Sequence, residues 1–336
     1  MGGRGRLQAE LRSPRTPERM DAHFRAFSFV DRITSVQHVT DICGRYVIPS
    51  DVGEFPVALV GEAVCQLAAW AAMSALKFTH RPIAGLAGCI EFSGGAERGH
   101  LCPQQLSNGK KLIQRTPSAL RESSSIARSW SSMLRPRGVL ELAANLESVD
   151  TECVVYNGTA HTDGRLIVRL LDCLGPMVPL ADLDNPRALA NRFEMLCCPG
   201  AAPGGFRGLP PLALERTAGG TAREARASFR VPHSAPFFAD HFPRHPVFPG
   251  SLLMHLSLQL GAMLVSELPP PVSGRWGDWT ILDMKLRSFI PPGTVLELNA
   301  RLKPRSQASP MIAVEARTSG DLVATARLVL KRELNS

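Results

Sequence analysis

The chain has 336 residues, of which 44% are hydrophobic and 20% are charged. At about 150 residues per domain this length predicts two domains, and the apolar content can bury a sizeable core, which excludes wholesale disorder. The formal net charge of +8 raises nucleic acid, a membrane surface or an acidic partner as candidates.

The charge is concentrated in two segments. Residues 1–24 carry five Arg against three acidic residues, and residues 98–137 carry eight basic residues against Glu122 alone. The rest of the chain is therefore close to neutral. Aromatic residues are only 6% of the chain, so the basic segments lack the stacking residues of a single-strand binder. We predict no nucleic-acid partner.

The N-terminal segment is Arg- and Gly-rich and contains no apolar stretch, so we predict a basic flexible tail over residues 1–24 and no signal peptide. No two of the eight cysteines are separated by two residues, which is the spacing of a zinc knuckle or a redox motif. We predict reduced, mostly buried thiols in a cytoplasmic protein, with no cofactor and no metal.

The longest apolar run extends from Phe55 to Phe78 and contains Glu62 and Gln66 near its middle. A carboxyl group at that depth is costly in a bilayer. The run therefore predicts a buried core helix with a functional acid and no membrane span.

This apolar run recurs 193 residues later, where Phe248-Pro249 corresponds to Phe55-Pro56 and Gln259 to Gln66. Each copy opens with Pro, which suits the first turn of a helix because its missing N–H costs nothing there. A helix that is apolar all round must be buried on most sides. The chain therefore contains two copies of one structural unit.

Strands follow each helix. Asp163-Gly164 is a hairpin turn in the first half, and a Ser-Gly-Asp turn precedes the last strand of the second. The predicted strands are 139–146, 152–162, 165–171, 279–286, 295–302, 311–318 and 322–330. One long helix with an antiparallel sheet is an α+β arrangement.

Composition sets the predicted domain limits. The first domain spans 25–174 and the second 212–334. A Pro- and Gly-rich linker over 175–211 contains a short helix that begins at Asn185-Pro186 and ends near Leu196, followed by a stretch through Pro199-Gly200 and Gly204-Gly205 that we predict to be flexible. Residues 98–137 interrupt the first domain as an insertion that we predict to be disordered, since structureless stretches of that length inside a domain are uncommon. An artefact of the gene model is the alternative for this segment.

The most informative segment is residues 236–250, Pro-Phe-Phe-Ala-Asp-His-Phe-Pro-Arg-His-Pro-Val-Phe-Pro-Gly, termed here the histidine loop. It resembles the active-site loop of the 3-hydroxyacyl-acyl-carrier-protein dehydratases, in which His-Phe-Pro-x-x-Pro-Val-Met-Pro-Gly precedes the central helix. That resemblance implies the hotdog fold, so two copies imply a fused double hotdog that packs as a pseudo-dimer within one chain.

In that family an acid lies fourteen positions after the catalytic His. His241 matches the catalytic His, but the acid position holds His255, which is a clear departure. The corresponding position in the first half is Glu62, and the first half lacks the His because its loop is shortened. The resemblance therefore implies one composite site, formed by His241 from one half and Glu62 from the other.

The resemblance also implies roles. His241 would be the base that takes the C2 proton, a task that suits a neutral imidazole. Glu62, kept protonated in an apolar setting, would be the acid for the departing hydroxyl. The Gly250 amide would bind the thioester oxygen. The predicted substrate-binding residues are Gly250, Phe242, Pro249 and Phe238.

Simpler interpretations stay open for single residues. His255 is predicted to be structural, His241 could be a loop residue that caps the helix, and Glu62 could be a buried carboxylate paired with the backbone.

The predicted function is dehydration of 3-hydroxyacyl thioesters on an acyl carrier protein or coenzyme A, in fatty-acid or polyketide synthesis. The alternatives are a hotdog thioesterase and a non-catalytic acyl-binding or scaffold protein. Further homo-oligomerisation is possible.

Overall fold

The computed structural model describes residues 23–37, 40–93, 136–203, 205–218, 220–221, 223–267, 275–303 and 310–333. Nearly all of the predicted basic tail and of the predicted disordered insertion lies outside these residues. The domain limits stay a prediction.

The first half contains two short strands, a long helix and five further strands. In chain order these are β1 (Arg32–Gln37), β2 (Asp41–Val47), α1 (Val57–Ala75), β3 (His80–Pro82), β4 (Leu86–Phe92), β5 (Val139–Val149), β6 (Cys153–Thr162) and β7 (Arg165–Pro179). Two short helices follow, α2 (Leu180–Leu183) and α3 (Pro186–Cys197).

The second half repeats the plan. Its elements are β8 (Glu215–Arg216), β9 (Glu224–Arg230), a 3-10 helix (Pro236–Ala239), α4 (Gly250–Val265), β10 (Arg275–Leu286), β11 (Val295–Lys303), β12 (Met311–Thr318) and β13 (Asp321–Glu333).

All strands but one form a single antiparallel path in the order β1-β2-β5-β6-β7-β4-β10-β13-β12-β11-β9-β8, and β3 pairs with β7 beside it. The halves join where β4 pairs with β10, in a register that places Ile281 opposite Ile90 and Lys285 opposite Leu86. The backbone hydrogen bonds of the sheet therefore continue across the boundary between the halves.

Each long helix packs against the sheet of its own half, and the two helices contact each other. Gly158 on β6 permits the close approach of α1, since a Cβ there would stand 2.3 Å from Cγ1 of Val64. Two helix-and-sheet units in one chain with a shared sheet confirm the predicted double hotdog, an α+β fold.

Helix α1 is long and apolar enough to cross a membrane by length and composition. In the protein, 61% of its most apolar 18-residue window is buried, and its neighbours are β5, β6, β7 and α4. Its apolar surface is thus covered by the sheet and the second helix, as a core helix requires.

Two details differ from the sequence-based predictions. Strand β7 continues to Pro179, past the predicted start of the linker at residue 175. The linker is also not flexible throughout, because Phe206 is buried and its ring lies 5.4 Å from that of Phe29 and 5.6 Å from that of Phe55. An aromatic side chain that buries this much apolar surface fixes the segment to the first half.

The prediction of reduced, mostly buried thiols is wrong at Cys43, and among the free cysteines of the described residues Cys173 alone is buried. Cys43 is disulfide-bonded. The free thiols among the described residues are Cys65, Cys89, Cys153, Cys173, Cys197 and Cys198.

Candidate active site

A cavity of about 140 Å³ lies between the halves. Its walls come from α1, β3, β4, β6 and β7 of the first half and from the histidine loop, the start of α4 and the end of β10 of the second. Four of the predicted site residues line it, namely Glu62, His241, Phe242 and Gly250. The structure therefore brings the two halves of the predicted dyad to one cavity.

His241 is held by the loop around it. Its Nδ1 lies 3.3 Å from the carbonyl oxygen of Val247, which accepts a hydrogen bond from the Nδ1–H tautomer. The imidazole stacks on Phe242 at 4.3 Å and 20°. In this tautomer Nε2 carries the lone pair and can accept a proton.

The imidazole of His241 is kept neutral by its surroundings. Burial lowers its pKa to about 3, and the nearby Arg81 cation acts in the same direction. The hydrogen bond to Val247 opposes this shift. At neutral pH His241 is therefore available as a base.

Glu62 lies in the second turn of α1, where Gln66 holds it from one turn further along. The Gln66 amide donates to Oε1 of Glu62 at 2.9 Å and to the carbonyl of Phe27 at 2.8 Å. Its own oxygen accepts from the backbone N–H of Phe29 at 2.8 Å. Every polar atom of the Gln66 side chain is thereby engaged, which fixes the carboxyl group it contacts.

Burial raises the pKa of Glu62 because it disfavours the carboxylate. Hydrogen bonds from Gln66 and Ser251 and the charge of Arg81 oppose this rise. The Ser251 contact is the looser one, since its Oγ has no partner at full hydrogen-bonding geometry among the described residues. Burial has the largest effect, so the carboxyl group is biased toward the protonated form that a general acid needs.

The start of α4 supplies backbone donors. Pro249 is the N-cap, and its carbonyl accepts from Leu252 and Leu253 at 3.1 Å each. The amides of Gly250 and Ser251 lie in the first turn, where no intrahelical acceptor exists. A negatively charged oxygen placed there would be stabilised by these donors and by the positive end of the helix dipole.

Replacing Gly250 by Ala is expected to lower kcat/KM on the order of tenfold while the melting temperature stays close to that of the wild type. The new Cβ would stand 2.4 Å from Cδ1 of Leu286, so the Leu286 side chain must turn within the cavity. The close atom is the end of a flexible side chain and not backbone, so the adjustment should cost little stability. Thermal unfolding measures the stability, and turnover of a 3-hydroxyacyl-pantetheine thioester, the substrate class that the resemblance implies, measures the rate.

The double variant Gly250→Ala/Leu286→Ala restores the space and should recover most of the rate. A rate that stays low in the double variant would contradict the steric explanation.

Two predicted substrate-binding residues do not line the cavity. Pro249 is the N-cap of α4, and Phe238 is buried in the core beside Phe237. His255 also lies outside the cavity lining, with its Nε2 3.0 Å from the side-chain nitrogen of Gln259. Burial lowers the pKa of His255 to about 4, which fits an uncharged structural histidine.

Sequence reasoning missed several residues of the site. Arg81 on β3 lines the cavity, and so do Tyr156 on β6 and the thiols Cys65 and Cys173. None belongs to a motif, and β3 has only three residues, too few for a periodic signal. Their place in the site follows from strand pairing between distant segments.

Asp240, next to His241, ties the histidine loop to the first half. Its carboxylate accepts hydrogen bonds from the backbone N–H of Phe27, at 2.7 Å, and of Phe24. The anchor of the loop therefore depends on the segment just before β1. No group of three or more His, Cys, Asp or Glu side chains suited to a metal ion occurs in the part of the chain that the structure describes.

Comparison with known proteins supports the resemblance of the histidine loop. Residues 217–324 match the family described as ApeI-like, ApeI dehydratase. The 3-hydroxyacyl-acyl-carrier-protein dehydratase FabZ of Pseudothermotoga lettingae is 31% identical over 125 residues, which are 36% of this chain and 85% of that protein. FabZ of Dechloromonas aromatica is 33% identical over 104 residues, 30% of this chain and 72% of that protein.

Several solved structures similar in shape over most of the chain are thioesterases by description. An oleoyl thioesterase from Lactobacillus plantarum has a TM-score of 0.48 and 10% identity, with 89% of this chain and 98% of that one covered. The 12:0-ACP thioesterase from Umbellularia californica has a TM-score of 0.46 and 9% identity, with 87% and 94% covered. At these values neither supports an argument about function.

Proposed function

Because this chain belongs to the 3-hydroxyacyl-acyl-carrier-protein dehydratase family, we propose that it removes water from 3-hydroxyacyl thioesters to give trans-2-enoyl thioesters. The observation that carries the proposal is that His241 of the second half and Glu62 of the first line one cavity. Neither half alone has both a base and an acid at these positions.

The reaction begins at C2 of the acyl chain. Nε2 of His241 takes the C2 proton, and the electron pair of the broken C–H bond moves toward the thioester carbonyl. The Gly250 amide donates to the oxygen that becomes negative. This donor is already in place before the reaction, so no reorganisation is needed when the charge develops.

The second bond to break is that between C3 and the hydroxyl. Glu62 gives its proton to the departing oxygen, water leaves, and the C2–C3 double bond forms. The dyad then holds an imidazolium and a carboxylate, and proton transfer from His241 to Glu62 restores the starting state.

The low pKa of His241 makes it a weak base by itself. As Glu62 loses its proton, however, a carboxylate appears in the same cavity and stabilises the imidazolium. The pair is neutral in sum before the reaction and after Glu62 has given its proton. Between these steps the negative charge on the thioester oxygen balances the imidazolium, which avoids an uncompensated charge in a poorly solvated site.

The carrier is part of the proposal. We propose an acyl carrier protein, since the similar dehydratases are named for that carrier, with coenzyme A as the alternative. Fatty-acid synthesis is the proposed context, a polyketide-type pathway is the alternative, and the cytoplasm is the proposed location. A non-catalytic acyl-binding or scaffold protein would bind the same thioester unchanged.

The test is to incubate the protein with 3-hydroxybutyryl-pantetheine and follow the enoyl thioester and free thiol separately. Enoyl product without free thiol supports the proposal. Free thiol without enoyl product would indicate a thioesterase, and the absence of both would favour binding without catalysis.

The pH dependence of the reaction should be asymmetric. Catalysis needs Glu62 protonated and His241 neutral, so kcat/KM falls at alkaline pH as Glu62 ionises above its raised pKa. On the acid side it holds until His241 is protonated, near its lowered pKa of about 3. A plot of kcat/KM against pH between pH 5 and pH 10 should therefore fall at the alkaline end and stay level at the acid end.

The variant Gln66→Met sharpens this test. It removes the hydrogen bond that lowers the pKa of Glu62, so the alkaline limb should move to higher pH. A limb that moves to lower pH would show that another group controls it.

A further inference from the structure

Arg81 occupies the wall between two cavities. It lines the cavity described above and also a smaller one of about 40 Å³, whose other residues include His23, Asp184 and Asp240. His241 is shared by both cavities as well. Arg81 from the first half and His241 from the second therefore border the same two cavities, as do Gln66 and Ala69.

Two contacts fix the guanidinium group of Arg81. Nη1 lies 3.5 Å from Oδ2 of Asp184, whose side chain is only 4% exposed. The guanidinium carbon lies 4.3 Å from the centre of the Phe242 ring, a distance typical of a cation–π contact. The positive charge of Arg81, paired with the Asp184 carboxylate, is thus held close to the Phe242 ring of the histidine loop.

Phe242 connects Arg81 to His241. Its ring stacks on His241 at 4.3 Å, so guanidinium, phenyl and imidazole groups form one chain of contacts. Asp184 is itself fixed, because its Oδ1 accepts from the backbone N–H of Asn185 at 2.7 Å and its Oδ2 lies 3.3 Å from Nε2 of His23. The whole series is anchored in the first half.

On these contacts, and on the function proposed above, we propose that Arg81 is a positioning residue that holds the His241–Phe242 part of the histidine loop against the first half. Its charge also acts on the imidazole. The ionisable groups that line the two cavities with His241 are Arg81 on β3, Glu62 and Cys65 on α1, Tyr156 on β6, Cys173 on β7, Asp240 on the loop itself, Asp184 after α2 and His23 before β1. Arg81 is the cation among them that disfavours protonation of His241.

The first test is Arg81→Met, which keeps the length of the side chain and removes its charge. We expect kcat to fall about 10-fold to 100-fold, as for a misplaced catalytic group, with KM within about threefold because the apolar wall is kept. Following the ¹³Cε1 signal of His241 by NMR, we expect its titration to move to higher pH. The signal is assigned by its loss in His241→Asn.

The second variant is Arg81→Lys, which keeps the charge but loses the planar group that stacks on Phe242. We expect its kcat to stay low while the titration of His241 remains close to that of the wild type. Arg207→Met is the matched control, since Arg207 forms an exposed ion pair with Asp51 at 2.9 Å and should change neither readout.

Removal of Arg81 leaves Asp184 buried without its cation, so Arg81→Met is paired with Arg81→Met/Asp184→Asn, which removes both charges. The proposal is overturned if kcat of the folded variant stays within about twofold of wild type, or if the His241 titration does not move. The NMR titration needs no turnover. If the wild-type protein has no dehydratase activity, the proposed function is refuted. The NMR titration would still show whether Arg81 acts on His241.

Discussion

Replacing Glu62 by Gln is expected to lower kcat for dehydration by about 100-fold to 10,000-fold, the usual contribution of a general acid. The amide cannot give a proton to the departing hydroxyl. It keeps the shape of the carboxyl group, and Gln66 can still donate to its oxygen, so the fold and KM should change little. Steady-state formation of the enoyl thioester and the melting temperature measure the two effects.

Two companion variants make the Glu62 test specific to the composite site. Glu315→Gln removes an exposed carboxylate, paired with Arg317 at 3.1 Å, and should retain full activity. Glu62→Gln/His255→Glu places the acid at the family's position in the second half, but position 255 does not line the cavity. This double variant should stay inactive, and recovery of activity would refute the assignment of the acid to the first half.

The variant His241→Asn should lower kcat to a similar degree, by about 100-fold to 10,000-fold. Asn fits the loop and can donate to the carbonyl of Val247, but it has no lone pair basic enough to take the C2 proton. The double variant Glu62→Gln/His241→Asn should be little worse than either single variant, because residues that act as a unit give non-additive losses. The same assay with 3-hydroxybutyryl-pantetheine measures all three.

The matched control for His241 is His255→Ala. His255 lies at the family's acid position on α4, contacts Gln259 and does not line the cavity, so its replacement should leave kcat within about twofold. If instead His255→Ala abolished the reaction while His241→Asn retained it, the catalytic base would have to be sought around α4 of the second half.

Much of the architecture could be predicted from local patterns. Two apolar runs at a constant offset, each opened by Pro, predicted α1 and α4, and the alternating segments after them predicted most of the meander strands. The composite dyad rested in addition on the resemblance of the loop around His241 to the dehydratase family, because the family's acid position holds Glu62 in the first copy of the repeat. These features depend on residues close in sequence, which is why a single chain revealed them.

The rest depends on contacts between distant segments. Arg81 meets Phe242 and Asp184 because β3 pairs with β7 and the histidine loop folds over both. Phe206, within an apparent linker, is buried against Phe29 and Phe55, which precede β1 and α1 in the chain. The local sequence predicts neither contact. A single Arg or Phe outside a periodic pattern can be exposed or buried, and the neighbouring residues do not indicate which.

The sequence by itself determined that this protein is two buried helices with antiparallel strands, and the resemblance of the histidine loop to the dehydratase family predicted that a base and an acid come from different halves. Only the tertiary structure decided that Glu62 and His241 share a cavity and that a cation from β3 stands beside them. The physical reason is that helix and strand periodicity is encoded within a few residues. The electrostatic surroundings of a buried imidazole or carboxyl group are created only when β4 pairs with β10 and closes the two halves into one sheet.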